Sequence, residues 1–180
     1  MNQPTRILGL FPADPGNYVA ADRPRSHLID RIILHITQGS FAGTLGWFGS
    51  PDSGVSAHYT IRASDGAIAQ SVREQDIARH AGNSTYNEAS IGVEHEGFVD
   101  DPALFTNAMF LSSTRLTAYL AHKYGIPADR GHIIGHDEVP HPDDPNRFGG
   151  ANGHRDPGPY LDWERYMHHV HAHLLVFGGS

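Results

Sequence analysis

Short apolar, β-branched runs recur along the chain and predict strands. The clearest is RIILHIT at residues 31–37, where isoleucine and leucine lie between polar residues. The runs at 56–62 and 67–72 flank the pair Asp65-Gly66, which tolerates positive φ and therefore predicts a tight hairpin. Two further strands are predicted at residues 90–96 and 132–135.

Two longer stretches have apolar residues at helical spacing. In residues 102–124 they recur near the i, i+3, i+4 period, and the Gly-Ile-Pro at 125–127 ends this predicted helix. A second helix is predicted from Trp163 to about residue 176, with Asp162 as its N-cap. Residues 44–48 predict a short helix or turn.

The remaining segments are rich in turn-forming residues. Residues 1–27 predict an extended N-terminal arm packed on the domain, and residues 137–159, rich in proline and glycine, predict a loop. Strands alternate with helices, and neither an internal repeat nor a linker interrupts them. The fold class predicted for residues 28–180 is therefore α/β, a single domain with a central mixed β-sheet flanked by helices.

The composition mainly excludes functions. The 180 residues include 14 histidines and no cysteine, and the formal net charge is −7. The absence of cysteine excludes disulfides, thiol nucleophiles and thiolate metal sites. The acidic balance argues against nucleic acid as a partner, and no apolar stretch is long enough to span a membrane. The N-terminal residues lack the apolar run of a secretory signal.

Three side chains on strand ends or stiff turns are candidate metal ligands. His35 lies in the first long strand, His136 directly follows the strand at 132–135, and Asp156 begins the turn Asp-Pro-Gly-Pro. Two imidazoles and one carboxylate would leave one position of a tetrahedral zinc open, as a hydrolytic site requires. Taken singly, each histidine is more often a satisfied strand or loop residue than a ligand, and the spacing alone changes this little.

Six short segments follow one another in a recognisable order: IILHIT (32–37), SAHYTIR (56–62), ARHAG (78–82), SIGVEHEG (90–97), GHDE (135–138) and DPGPYLDW (156–163). Together they resemble the zinc-dependent N-acetylmuramoyl-L-alanine amidases of the type 2 family. That family shares its fold with the T7-type phage lysozymes and the peptidoglycan recognition proteins. The resemblance covers about residues 30–176.

The resemblance implies both a ligand set and a reaction. It implies that His35, His136 and Asp156 bind a Zn²⁺ cofactor, with aspartate where the phage-lysozyme and recognition-protein branches have cysteine. It implies hydrolysis of the amide bond between N-acetylmuramic acid and L-alanine in peptidoglycan. The expected partners are the glycan strand and the stem peptide, bound by a monomer.

A hydrolytic site of this kind needs a carboxylate that moves a proton from water to the leaving amine. Glu94 and Glu96 are both candidates, because a spacing of two places them on one face of a strand, and the resemblance selects Glu94. Tyr59 and His154 are candidate hydrogen-bond donors to the tetrahedral oxyanion. His154 stands where family members commonly carry a lysine, so its role is an open question.

Three further features are candidates for substrate contact, each with a structural alternative. His80, from the His-Ala-Gly segment, could contact the substrate or orient a metal ligand. Trp47 could stack on a sugar or peptide, or could belong to the core. The segment 141–150 lengthens the connection between the second and third ligands, and it could border the cleft or form a solvated excursion.

Other functions are weighed against the amidase. The main alternative is a recognition module that binds peptidoglycan without hydrolysing it, which the retention of Asp156 disfavours. A metal-free glycosidase with two carboxylates would leave the histidine–aspartate set without a purpose. The expected enzyme is bacteriolytic and acts on the cell wall, either as a phage endolysin or as a secreted amidase. A cytosolic recycling enzyme is a further option.

Overall fold

A six-stranded mixed sheet forms the centre of the computed structural model, which describes residues 7–178. In chain order, the strands are β1 (Ile7–Leu10), β2 (Tyr18–Val19), β3 (Arg31–Ile36), β4 (Tyr59–Ile61), β5 (Ile68–Gln70), β6 (Ile77–Ala78), β7 (Ser90–His95), β8 (Ile133–Gly135), β9 (Pro140–His141) and β10 (Asp144–Phe148). The order in the central sheet is β1-β5-β4-β7-β3-β8, in which β4 and β5 form the predicted antiparallel hairpin and the other neighbours are parallel. The predicted fold class is confirmed.

The helices are α1 (Phe41–Phe48), α2 (Ser84–Ala89), α3 (Asn107–Tyr124) and α4 (Trp163–Gly178). Helix α3 begins later than predicted, because the Thr106 side chain caps it by accepting a hydrogen bond from the Met109 amide. It ends at Gly125, whose φ of 68° is the left-handed conformation that glycine adopts readily. The short polar helix α2 was not predicted. None of the helices within residues 7–178 is both long and apolar enough to cross a lipid bilayer.

The two faces of the sheet have different coverings, and strand alternation decides which residue lies on which face. Ile32 and Leu34 of β3 belong to a large core together with residues of α3 and α4, including the fully buried Tyr166. Ile33 belongs to a smaller cluster on the other face. His35 lies two residues further along β3, so its side chain is on the same face as that of Ile33. The face of Ile33 and His35, called the thinly covered face below, has only this smaller cluster packed on it. It is therefore the face that can form an open site.

The N-terminal arm is part of the fold over its described residues, 7–27. Strand β1 extends the central sheet through parallel pairing with β5, and β2 pairs with β6. The Arg23 side chain is buried and donates hydrogen bonds to the backbone carbonyls of Glu74, Asp76, Asn87, Glu88 and Ser90. The predicted boundary at residue 27 therefore does not separate two units. Residues 1–6 of the predicted arm lie outside the described residues.

The predicted loop at 137–159 contains a small hairpin. Strands β9 and β10 pair antiparallel, and the backbone amides of Gly149 and Gly150 both donate to the carbonyl of Val139. The residues of β10 are mostly exposed, and none of residues 141–150 lines the cleft described below. Of the two possibilities for this segment, the solvated excursion fits the structure.

Candidate active site

His35, His136 and Asp156 converge on the thinly covered face of the sheet, as predicted. The Nδ1 atoms of the two histidines are 3.1 Å apart. The Asp156 carboxylate lies 3.2 Å from Nδ1 of His35 through Oδ2 and 3.4 Å from Nδ1 of His136 through Oδ1. All three side chains are buried. Ligand atoms at bond lengths of about 2.0–2.1 Å around a tetrahedral zinc would be about 3.3 Å apart, so these separations fit zinc.

A chain of hydrogen bonds determines which nitrogen of His35 carries the proton. The Ser90 hydroxyl donates to the Tyr86 carbonyl (2.5 Å) and therefore accepts from Nε2 of His80 (3.1 Å). Nδ1 of His80 is then the acceptor for Nε2–H of His35, at 2.9 Å. His35 is consequently left with a lone pair on Nδ1, the atom that faces His136 and Asp156. Two imidazoles and a carboxylate facing one another in this way are a donor set suited to a cation.

Replacing Ser90 by alanine is expected to weaken metal binding, by at most the about 10–100-fold that removing a direct hydrogen-bond partner of a ligand costs. Without the hydroxyl, His80 is free to change tautomer, and the preference for a lone pair on Nδ1 of His35 is lost. Competition with a chromogenic chelator measures the affinity. Ser71→Ala is the matched control, because Ser71 is also buried and its hydroxyl has no hydrogen-bond partner within residues 7–178. Equal affinity of the two variants would contradict the assigned tautomer.

The protonation of the cluster favours metal binding. Burial, the largest effect, lowers the pKa of His35 to about 4, even though Asp156 acts in the opposite direction. Burial alone would raise the pKa of Asp156, but the adjoining imidazoles of His136 and His35 hold it well below its usual range. The Ile36 amide also donates to Asp156, at 3.3 Å. At neutral pH, His35 is therefore neutral and Asp156 is ionised, as ligands must be.

The structure distinguishes the two candidate glutamates. Glu96 accepts hydrogen bonds from the backbone amides of Phe41 and Ala63, both at 2.8 Å, so its two oxygens hold neighbouring segments together. Glu94 lines the cleft instead, and its Oε2 is buried without a hydrogen-bond partner within residues 7–178. Burial, assisted by the negative charge of Asp156, raises the pKa of Glu94 well above its usual range. Of the two, only Glu94 has a carboxylate available to exchange a proton.

The site opens into a cleft of about 450 Å³. His154, whose side chain is 46% exposed, lines this cleft and stacks on His136 with the ring centroids 4.3 Å apart. Trp47 is 51% exposed and lines an adjoining pocket of about 370 Å³, which Glu94 also lines. His154 and Trp47 therefore both lie where a substrate could reach them.

The prediction for Tyr59 is wrong. Tyr59 lies two residues before Ile61 in β4, so both side chains are on the same face of the sheet. Tyr59 belongs to the core beneath α3 and α4, with only 3% of its surface exposed. Its hydroxyl donates to Glu74 on that side of the sheet. Tyr59 therefore cannot donate to an oxyanion on the opposite face.

His80 does not contact substrate through its ring nitrogens, because His35 and Ser90 occupy both of them. Its ring packs directly above Gly92, where a Cβ atom would lie 2.6 Å from the nearest ring atom. Of the two possible roles of His80, these hydrogen bonds favour the orientation of a metal ligand.

Sequence reasoning missed two residues at the site. Ser90 sets the tautomer chain, but a serine at the start of a strand carries no signal of that role. Arg79 lines the cleft next to His80. Its position beside the His-Ala-Gly segment was the available signal, although an exposed arginine is usually only a solvated surface residue.

The ligand atoms of two buried imidazoles and a carboxylate all lie within 4.8 Å of one another, so this group could hold a metal ion. A glutamate lies in the same cleft, and the arrangement is that of a hydrolase site. The sequence profile of the N-acetylmuramoyl-L-alanine amidases (Amidase_2) matches residues 24–159. The chain is also 37% identical to N-acetylmuramoyl-L-alanine amidase A of Achromobacter lyticus over 183 aligned positions, which cover 94% of this chain and 93% of that protein. The chain belongs to the N-acetylmuramoyl-L-alanine amidase family.

Other relatives agree with this assignment. The 1,6-anhydro-N-acetylmuramyl-L-alanine amidase AmpD of Haemophilus influenzae is 38% identical over 123 positions, covering 64% of this chain and 59% of that protein. A solved structure of AmpD superposes with a TM-score of 0.70 at 25% identity, covering 94% of this chain and 96% of that one. The amidase AmiD of E. coli, solved with anhydro-N-acetylmuramic acid-L-Ala-D-gamma-Glu-L-Lys, has the same fold, with a TM-score of 0.64 at 21% identity and coverage of 85% and 65%. The predicted enzyme class, a peptidoglycan amidase, is confirmed.

Proposed function

We propose that this amidase is a zinc enzyme in which His35, His136 and Asp156 hold the metal and Glu94 transfers the proton. The observation that carries the proposal is the convergence of the two Nδ1 atoms and the Asp156 carboxylate, at separations of 3.1–3.4 Å, beside a glutamate whose Oε2 is buried without a hydrogen-bond partner within residues 7–178. When bound, zinc would polarise the scissile carbonyl and make water nucleophilic near neutral pH. The remaining steps depend on the side chains of the chain itself.

Glu94 would act first as a base and then as an acid. Its Oε2 accepts a proton from the water whose oxygen attacks the carbonyl carbon of the muramoyl group. The same proton then passes to the nitrogen of L-alanine as the carbon–nitrogen bond breaks. A buried carboxylate whose pKa is raised above its usual range suits both steps, because burial makes it a stronger base towards the water.

His154 and Trp47 would act on either side of the reacting bond. The His154 imidazole lines the cleft beside His136 and could donate a hydrogen bond to the developing oxyanion, in place of the lysine common in the family. The exposed indole of Trp47 offers a flat apolar surface for the muramic acid ring, since aromatic rings pack well on sugars and keep a polar edge in water.

The proposed substrate is cell-wall peptidoglycan with a stem peptide that begins L-Ala–D-γ-Glu. The A. lyticus N-acetylmuramoyl-L-alanine amidase A matches nearly the whole chain in sequence, whereas the 1,6-anhydro-N-acetylmuramyl-L-alanine amidase AmpD matches less of it, which favours a muramoyl substrate over its anhydro form. The stem follows the compound described for the E. coli neighbour. A role as an endolysin or as a secreted amidase is compatible with this substrate. A second candidate, supported by the 38% identity to AmpD, is hydrolysis of soluble anhydro-muropeptides.

Digestion of purified peptidoglycan tests the proposed reaction. We expect free amino groups on L-alanine to appear in proportion to the loss of turbidity, without new reducing sugar ends, because the cleaved bond is an amide. Amino-terminal labelling and a reducing-sugar assay on the same digest measure both products. New reducing ends without free L-alanine would identify a glycosidase instead. A parallel digest of soluble anhydro-muropeptide compares the two candidate substrates by kcat/KM.

A further inference from the structure

Two compartments of the candidate active site meet at Glu94. The main cleft, of about 450 Å³, contains the metal-ligating residues, and the adjoining pocket, of about 370 Å³, contains Trp47. The residues common to both linings are Thr37, Gln38, Phe48, Val55 and Glu94. A substrate whose reacting bond lies at Glu94 can therefore extend into a different compartment on each side of that bond.

The two compartments differ in charge. Arg79 is the only arginine or lysine that lines the main cleft, and neither residue type lines the pocket of Trp47, among residues 7–178. In a chain with a formal net charge of −7, this single guanidinium is a local exception. An anionic portion of a substrate would therefore favour the main cleft.

The backbone and side chain of Arg79 are both held at the wall of the cleft. Its amide donates to the Ser56 hydroxyl (3.2 Å), and its carbonyl accepts from the Ser56 amide (3.0 Å). Its Nη1 donates to the carbonyl of Gly16 in the N-terminal arm, at 2.9 Å. No carboxylate of the described chain forms an ion pair with it. The arm therefore orients a guanidinium whose charge is not neutralised by the protein.

We infer that Arg79 binds the free α-carboxylate of the D-glutamate in the stem peptide, so that the peptide occupies the main cleft and the sugar occupies the pocket of Trp47. This inference rests on the proposed function. A γ-linked glutamate retains its α-carboxylate, and a planar guanidinium binds a carboxylate through two parallel hydrogen bonds. The glutamate follows L-alanine directly, and one extended residue spans about 3.5 Å, well within a cleft of 450 Å³, roughly 10 Å across.

The test compares two substrates that differ in one group. N-acetylmuramoyl-L-Ala-D-γ-Glu-L-Lys has a free α-carboxylate, and its D-isoglutamine counterpart carries an amide there. For the free carboxylate, Arg79→Gln is expected to raise KM by about 10-fold and to leave kcat within about 2-fold. A 10-fold effect is at the lower end of what the loss of a hydrogen bond to a charged group causes, and we expect the lower end because Arg79 is exposed. KM for the amidated substrate is expected to stay within about 2-fold, and Arg79→Lys should recover part of the loss.

Arg73→Gln is the matched control, because Arg73 is also exposed but lines a separate cavity with Tyr119 and Lys123. It removes the same charge and is expected to leave both substrates unaffected. If Arg79→Gln changes KM equally for the two substrates, or for neither, the inference is overturned. If the wild-type enzyme cleaves neither substrate, the proposed function fails instead, so the two failures are distinguishable. Thermal unfolding midpoints confirm that all variants are folded.

Discussion

Replacing Glu94 by glutamine is expected to lower kcat by about 10²–10⁴-fold while the zinc content stays at one ion per chain. The amide has nearly the same shape as the carboxylate but cannot accept a proton from water. Because burial raises the pKa of Glu94, its ionised form at neutral pH costs folding free energy. The variant should therefore unfold at the same temperature as the wild type or at a higher one. Turnover, metal analysis and thermal unfolding measure the three effects.

Glu96→Gln is the matched control for this experiment and should give the opposite result. The Glu96 carboxylate accepts from two backbone amides, those of Phe41 and Ala63. An amide side chain can accept only one of these hydrogen bonds and presents its NH₂ group to the other donor, which costs about 1–3 kcal/mol of stability. The unfolding temperature should fall while kcat of the folded enzyme stays within a few-fold of wild type. Near-normal turnover of Glu94→Gln would exclude Glu94 as the proton carrier.

Replacing Asp156 by alanine is expected to abolish both metal binding and turnover. The loss of zinc affinity should exceed the about 10–100-fold expected when a residue that only orients a ligand is removed. Asp156 supplies the one negative charge among the three ligands, and its pKa is held low by His136 and His35. Asp156→Cys should retain zinc, because a thiolate is an equally suitable ligand. Equilibrium dialysis against buffered zinc measures the affinities.

Metal removal from the wild type gives an independent test of the same site. A chelator should eliminate turnover, and added zinc should restore it. His168→Ala is a suitable control for His35→Ala, because His168 is exposed on α4 and does not line the cleft. It should change neither metal content nor rate. Full activity of a chelated sample with no detectable zinc would refute the assignment of a zinc enzyme.

Five strands of the central sheet (β3, β4, β5, β7 and β8) were accessible from the sequence because local apolar patterns specify them, and the family resemblance selected the three candidate ligands. The β-branched run around His35 predicts a buried strand, and parallel strands bring their ends to one edge of a sheet. His136 follows β8, the neighbour of β3, so the two imidazoles meet through sheet pairing alone. The hairpin of β4 and β5 was equally accessible, because Asp65-Gly66 specifies its turn.

The roles of Tyr59 and His80 depend on information that a motif does not contain. A segment that resembles a family motif shows that a residue is present but not which face of the strand it occupies. Because neighbouring side chains along a strand lie on opposite faces, His58 lies towards the site and Tyr59 lies beneath the helices. His80 resembles a substrate-binding histidine until its two hydrogen bonds, to His35 and Ser90, are known. Arg79 was missed because a cleft is formed by segments far apart in sequence.

Strand β1 and helix α4 also determine how short an expressible fragment can be. The family profile matches residues 24–159, which excludes both elements. A fragment cut at those limits would leave β5 as an unprotected sheet edge, a surface that invites pairing with other chains. It would also remove the buried residues Tyr166, Met167 and Val170 from the core and leave the apolar face of α3 in water. Such a fragment would contain all the proposed ligands and still be expected to aggregate, so deletion series should spare both ends.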